Sequence, residues 1–480
     1  MKQQSKWLIF ILVAIAQFMV VLDSAITNVA LPTIKTQLHF SNSSIQWVIT
    51  AYALTFGGFL LLGGRAADLL GRRKTLLIGM SAFTLFSFLI GISHSAPLLI
   101  ILRALQGSSA ALMSPSALSI VLNTFQSGNL RNKALAYWTL VATGGGAVGL
   151  LLGGLLTQYV GWRWDFFINV PVGLIMAFFI YKIVPKYDSQ EKFTSLDLRG
   201  ALLVTTSLIS VVFAFSEAPQ WGWLNLSTIG LLILSAALMT GFIVNEHRAK
   251  HPLMPLKIFK IRNVSGANLM MAPMYASMLG MFFIITLYVQ TVMHYSPAEA
   301  GIAIVPFPIV VGFMSTRISG LVARYGYKRF LIAGPSIVAL ALLWFSRLPV
   351  NGTYIYNLLP AIIVMAVGMG MTFMPIIASA TSGVPAKESG LASGLISTSQ
   401  QMGGALGLAV ISGVAASVTA SSFGLNKIAA LVAGYDKAML VALVFMLFVV
   451  TLAITVIRQP KKTIQGDETS RSLKHIVIEA

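Results

Sequence analysis

Fourteen stretches of this chain are apolar for long enough to cross a bilayer, at about 7–34, 45–70, 75–93, 97–122, 132–159, 164–184, 199–216, 226–246, 264–292, 297–322, 328–346, 356–382, 389–420 and 437–457. A hydrocarbon layer about 30 Å thick needs about 20 helical residues to span it. In lipid the backbone must satisfy its own polar groups, so such runs are read as helices. Composition agrees. Only 10% of the 480 residues are charged, against 56% hydrophobic, whereas soluble domains carry about 25% charge. The chain is therefore expected to be an all-α polytopic membrane protein.

The turn Gly64–Lys74, G-R-A-A-D-L-L-G-R-R-K, orients the spans. It sets Arg65, Arg72, Arg73 and Lys74 around one acid, Asp68, and Gly71 suits a tight reversal because it lacks a Cβ. Lys and Arg translocate poorly, so this loop belongs on the cytoplasmic side. An even number of spans then returns both termini to the cytoplasm. The net charge of +19 is concentrated in the same set of loops. That pattern speaks for membrane topology and anionic lipid rather than nucleic acid.

A second turn, S-G-L-V-A-R-Y-G-Y-K-R at Ser319–Arg329, echoes the first. Gly326 aligns with Gly71, and Ala323 falls where Asp68 stood. Two related turns, each after the second span of its half, imply an internal repeat. The charged connectors Pro185–Asp197 and His247–Arg262 bracket an extra hairpin, turned at Trp221-Gly222-Trp223, whose rings suit a membrane interface. The expected division is an N-terminal six-helix bundle over 1–184, a hairpin with cytoplasmic linkers over 185–262, a C-terminal six-helix bundle over 263–458 and a cytoplasmic tail over 459–480. The two halves suffice as a monomer.

The G-x(3)-D-x(2)-G-R-R-K turn after a second apolar span resembles the loop signature of the major facilitator superfamily. The stretch Leu22–Pro32, L-D-x(4)-N-x-A-L-P, resembles the first-helix signature of its fourteen-span drug/proton antiporter branch. Asp23 lies well inside the first span. A carboxylate in hydrocarbon costs several kcal/mol and needs a cavity or a partner. Burial disfavours its charged form, so such a group can take up and release a proton. Thr27 shares its helical face. The resemblance implies a role for Asp23 in proton coupling. Arg103, in R-A-L-Q-G of the fourth span, cannot shed its charge and needs a carboxylate or carbonyl partner. That pattern resembles a family motif associated with proton transfer. Gln106 and Gly107 allow hydrogen bonding and close helix approach.

The fifth span carries Gly145, Gly149, Gly153 and Gly154 at the spacing of a flat packing face. The run resembles the antiporter motif G-x(3)-G-P-x(2)-G-G, except that Leu150 stands in place of the proline. Without proline's missing backbone bond this helix is expected to be straighter. The resemblance also gives the Gly64–Lys74 turn a latching role in gating, through Asp68 and its neighbouring arginines. Trp162–Pro171 resembles the W-R-W-x-F-x-I-N-x-P stretch of the same branch. Arg163 and Asp165 are read there as an exposed pair, worth at most about 1 kcal/mol.

For a substrate cavity the candidates are Gln17, Thr27, Tyr52, Phe56, Tyr137, Trp138, Met274, Met278, Gln400 and Gln401. Flexible thioethers repack around varied apolar ligands, and aromatic faces hold organic cations. Single methionines in such a helix more often serve interhelical packing. One buried carboxylate suits a monovalent cation or a neutral amphiphile. Arg317 is read as snorkelling to the interface. No catalytic constellation, nucleotide-binding loop, metal-ligand spacing or cofactor site is found, and the chain has no cysteine. The expected activity is proton-coupled efflux of amphipathic or cationic small molecules across an inner (cytoplasmic) membrane. The alternative is an exporter or facilitator of one metabolite or lipid-like molecule without obligatory antiport.

Overall fold

The computed structural model describes residues 3–41, 44–125, 128–186, 197–249, 252–254, 256–382, 384, 389–422, 424 and 426–459. The charged residues Asp188, Glu191 and Lys192 of the first expected linker and the tail from residue 460 lie outside them. Among the described residues, thirteen helical segments are long and apolar enough to cross a membrane. Helix α5 (Gly128–Tyr159), at 32 residues, is the fourteenth by length.

The first half comprises α1 (Gln3–Gln37), α2 (Trp47–Leu70), α3 (Arg72–Gly91), α4 (Ala96–Thr124), α5, and a span broken into α6 (Trp164–Phe167) and α7 (Asn169–Ile183). The hairpin is α8 (Leu198–Trp221) and α9 (Leu226–Arg248). The second half comprises α10 (Arg262–Thr291), a span broken before Pro306 into α11 (Pro297–Ile304) and α12 (Pro306–Tyr325), then α13 (Lys328–Phe345), α14 (Leu359–Thr381), α15 (Ser389–Ser421) and α16 (Lys427–Thr455). Proline opens α12 because the first turn of a helix has no use for its missing N–H.

Helix pairing repeats between the halves. In the first, α1 packs on α5, α2 on α4, and α3 on α4 and α7; in the second, α10 packs on α15, α12 on α14, and α13 on α14 and α16. Each pair joins spans of the same rank, giving two six-helix bundles plus the hairpin. The turns repeat too. Gly71 has φ 92° and Gly326 φ 80°, a region costly for residues with a Cβ. Around the first turn, Arg72 lies 3.7 Å from Asp68, and Arg73 donates to the Tyr181 carbonyl at 2.5 Å. At the second, Lys328 donates to the Ile454 carbonyl and the Tyr327 hydroxyl to that of Arg458.

The bundles meet reciprocally, α2 against α15 and α5 against α11 and α12. At the end away from the basic turns, a Cβ on Gly154 would lie 2.6 Å from the Pro297 carbonyl oxygen, and Gly301 packs directly on the Leu150 carbonyl. Gln290 donates to the Val29 carbonyl at 2.9 Å. Helix α8 rests on both α2 and α15. There Gln46 donates to Ser216 of the hairpin and accepts from Ser412 of the second bundle. All three are buried, so one side chain ties three parts of the molecule together.

Candidate functional site

Asp23 sits in the middle of α1 and is fully buried. An isolated carboxylate could not remain charged there, and the first bundle surrounds it with donors. Arg103 Nη1 on α4 lies 2.6 Å from Asp23 Oδ2. Gln106 Nε2, one turn along α4, donates to Oδ1 at 2.9 Å, and Asn169 Nδ2 on α7 donates to the same oxygen at 3.1 Å. Gln106 also donates to Ser87 on α3 at 2.8 Å.

Arg103 is equally buried and is held from several directions. Its Nε donates to the Val48 carbonyl of α2 at 2.8 Å, and Nη1 donates also to Gln106 Oε1 at 2.6 Å. The guanidinium lies 4.4 Å from the Tyr52 ring centroid and 5.7 Å from that of Phe166. The two helices approach closely because Gly107 packs on the Tyr52 carbonyl, and Thr55 donates across the gap to the Ala104 carbonyl. A charged pair this fully desolvated, with further hydrogen bonds to both partners, is stable while intact and costly to break.

Helix α5 supplies a smooth wall behind Asp23. A Cβ on Gly149 would lie 2.7 Å from Ala25 Cβ and 2.9 Å from the Leu22 carbonyl oxygen; one on Gly153 would lie 2.9 Å from Ile26 Cα. Gly145 meets Phe18 and Val21, while Gly144 and Gly146 face open space. The glycine face therefore packs on α1 along the turns that carry Asp23, and Gly154 turns to α11. Helix α5 runs unbroken through Leu150.

The remaining candidates are spread over both bundles. Thr27 is buried, its hydroxyl donating back to the Asp23 carbonyl at 2.7 Å. Tyr52 and Phe56 are buried against each other, 5.8 Å between centroids. Gln17 is half-buried and accepts from Ser114 at 2.8 Å. Tyr137 is exposed and Trp138 half-buried. Met278, Gln400 and Gln401 are half-buried, whereas Met270, Met271, Met274 and Met281 are fully enclosed in a hydrophobic core that runs from the second bundle into the first. Those four methionines pack between helices, as apolar side chains on a many-sided contact do. Arg317 lies over the Phe313 ring at 5.2 Å.

One reading is corrected. Arg163 and Asp165 do not form an exposed pair. Asp165 is fully buried and its Oδ2 accepts from Thr157 at 2.7 Å. Arg163 turns the other way, donating to the Ser93 carbonyl at 3.2 Å and packing on the Trp162 ring. Residues two apart on a helix do not face each other. Asn169 and Ser87 were not among the candidates. Asn169 lay in the Trp162–Pro171 stretch, from which no site residue was drawn, and Ser87 has no local signal at all.

The family profile described as "Major Facilitator Superfamily" matches residues 13–408. The chain is 36% identical over 473 residues to the puromycin resistance protein pur8 of Streptomyces alboniger, covering 97% of this chain and 93% of that protein. It is 36% identical to the cephamycin export protein CmcT of Amycolatopsis lactamdurans, covering 92% and 90%. An auto-inhibited POT family peptide transporter superposes with a TM-score of 0.70 at 16% identity, covering 96% of this chain and 98% of that one. A bacterial homolog of the human lysosomal transporter Spinster superposes with a TM-score of 0.70 at 15% identity, covering 95% and 97%. The chain is a multi-pass membrane transporter and belongs to the Major Facilitator Superfamily.

Proposed function

We propose that this transporter exports amphipathic or cationic small molecules in exchange for protons, with Asp23 as the coupling carboxylate and Arg103 as its switchable partner. The observation that carries this reading is the sealed Asp23–Arg103 pair, supported from α2, α3, α4 and α7. Protonation of Asp23 would cancel the negative charge and leave Arg103 with carbonyl and amide acceptors alone. That imbalance in a low-dielectric interior favours a rearranged bundle. Two bundles rocking about a midplane site is the movement the repeat favours, with the Gly64–Lys74 turn and the α5 glycine face (Gly145, Gly149, Gly153, Gly154) setting how the halves separate. Membrane voltage supplies about 2.3 kcal/mol per charge per 100 mV.

In this reading the basic turns and both termini are cytoplasmic, the membrane is an inner membrane and one chain is the working unit. The functional division follows 1–184, 185–262, 263–458 and 459–480. Cargo would contact Gln17, Tyr137, Trp138, Met278, Gln400 and Gln401, with Thr27, Tyr52, Phe56 and Met274 behind them. The named activities of the antibiotic export and resistance relatives support efflux of drug-like cargo. A second reading, export without obligatory antiport, is favoured by Leu150 and the unbroken α5.

Proton release from the purified protein on adding lipophilic cations separates the two. Ligand-driven release from wild type but not from Asp23→Asn is the expected result. Binding without release from either would move export without antiport to the front.

A further inference from the structure

A second buried acid stands beside the Asp23 cluster and takes no part in it. Asp165, at the start of the α6–α7 span, has no solvent exposure. Its Oδ2 accepts from Thr157 Oγ1 at 2.7 Å, and its Oδ1 is buried without a hydrogen-bond partner. No cation among the described residues forms an ion pair with it. Arg163, two residues earlier, is turned to the Ser93 carbonyl.

Helix α6 packs on α1, α3, α5 and α7. The charged or titratable groups toward the same end of those elements and in their flanking turns are Asp23 and Lys35 on α1, His39 in the turn after it, Tyr159 on α5, and His94 and Arg163 in the other turns. Lys182 on α7, Arg72, Arg73 and Lys74 on α3, and Arg131 and Lys133 on α5 lie at the opposite ends of their helices. Arg103, on α4, approaches through Phe166, but its charge is already matched by Asp23. Asp23 is a like charge. A desolvated carboxylate with an unpartnered oxygen, no cation of its own and a second acid nearby is costly to keep ionised; a proton removes that cost.

Position links the two acids. Asp165 and Asn169 are four residues apart across the α6–α7 junction, one helical turn, and Asn169 donates to Asp23 at 3.1 Å. We propose that Asp165 is a second proton-binding carboxyl of this carrier, the outer member of a pair with Asp23, so that the chain holds one proton at Asp165 while Asp23 keeps its contact with Arg103. The proposal extends the proton-coupled reading given above and rests on it for its role in transport. On loading, a proton from water at the face away from the basic turns attaches to a carboxylate oxygen of Asp165 and gives the neutral acid. On unloading, that O–H bond breaks and the proton returns to water.

Infrared difference spectroscopy on the purified full-length protein tests this. The wild type should show a carboxylic-acid C=O band that shifts in heavy water. D165N should lose it, D23N should keep it, and D165E should restore it at a displaced frequency. T157V, which leaves the acid in place, should move the band without removing it, so the assignment survives even if D165N folds poorly. A D165N spectrum with the full wild-type band overturns the proposal, as does a T157V spectrum identical to wild type. The Asp23 reading is judged separately, by proton release on adding tetraphenylphosphonium. If D23N releases as many protons as wild type, Asp23 loses its coupling role, and the D165N and T157V spectra still decide Asp165.

Discussion

Arg103 Nη1 lies 2.6 Å from Asp23 Oδ2, and neither side chain reaches solvent. The pair closes α1 onto α4 at the centre of the first bundle. Its members cannot be removed independently without leaving a bare charge in an apolar interior.

Arg103→Met should therefore be more damaging than the double variant Asp23→Asn/Arg103→Met. Breaking one side of a buried pair costs about 3–5 kcal/mol, whereas replacing both partners can be nearly neutral. Thermal unfolding of purified protein in detergent should place the midpoint of the single variant well below that of the double. Equal midpoints would mean that Asp23 finds other compensation.

Asn169→Ala removes one donor from Asp23 Oδ1. Hydrogen bonds to charged groups contribute about 1.5–3 kcal/mol, so a loss of that order is expected. Asn169→Asp should be worse, since it sets a second acid against the first. The ordering wild type, then Ala, then Asp is checked by the same unfolding assay. An Asp variant as stable as the Ala variant would contradict the geometry.

The α5 glycines should divide sharply. Gly149→Val and Gly153→Val force side chains into α1, where a Cβ alone comes within 2.9 Å of its neighbours; overpacking of this kind costs about 1–3 kcal/mol or more. Gly144→Ala and Gly146→Ala meet open space and gain helix propensity of about 1 kcal/mol. Membrane expression together with resistance of host cells to cargo should fall for the first pair and hold for the second.

Gly71→Ala places a Cβ at φ 92°, a strained conformation costing about 1–3 kcal/mol. Gly326→Ala, at φ 80° in the repeated turn, should cost a similar amount. Paired unfolding measurements on the two variants test whether the repeat extends to energetics; a penalty confined to one turn would show that it does not.

The spans and the repeat were legible because both rest on local chemistry. Apolar length gives the helices, and Gly71 and Gly326 mark equivalent reversals. Asp23 and Arg103 were legible for a related reason, since an ion in an apolar run is conspicuous wherever it points. Their partners were not. Asn169, Ser87 and the Val48 carbonyl come together only through tertiary packing, and neutral residues carry no local mark of that role. Asp165 was misplaced because an oppositely charged neighbour, Arg163, offered it a partner at the surface. The spacing from Arg163 already spoke against a pair, because side chains two apart on a helix diverge.

The hairpin carries a mechanical consequence. Helix α8 lies across the seam between α2 and α15, and Gln46 joins Ser216 to Ser412 within it. Any motion that parts α2 from α15 must also strip α8 from one of them. In the proposed rocking of the two bundles, the two added spans would therefore act as a brake on that parting. Substitutions along that seam would retune turnover speed while leaving the Asp23–Arg103 pair untouched.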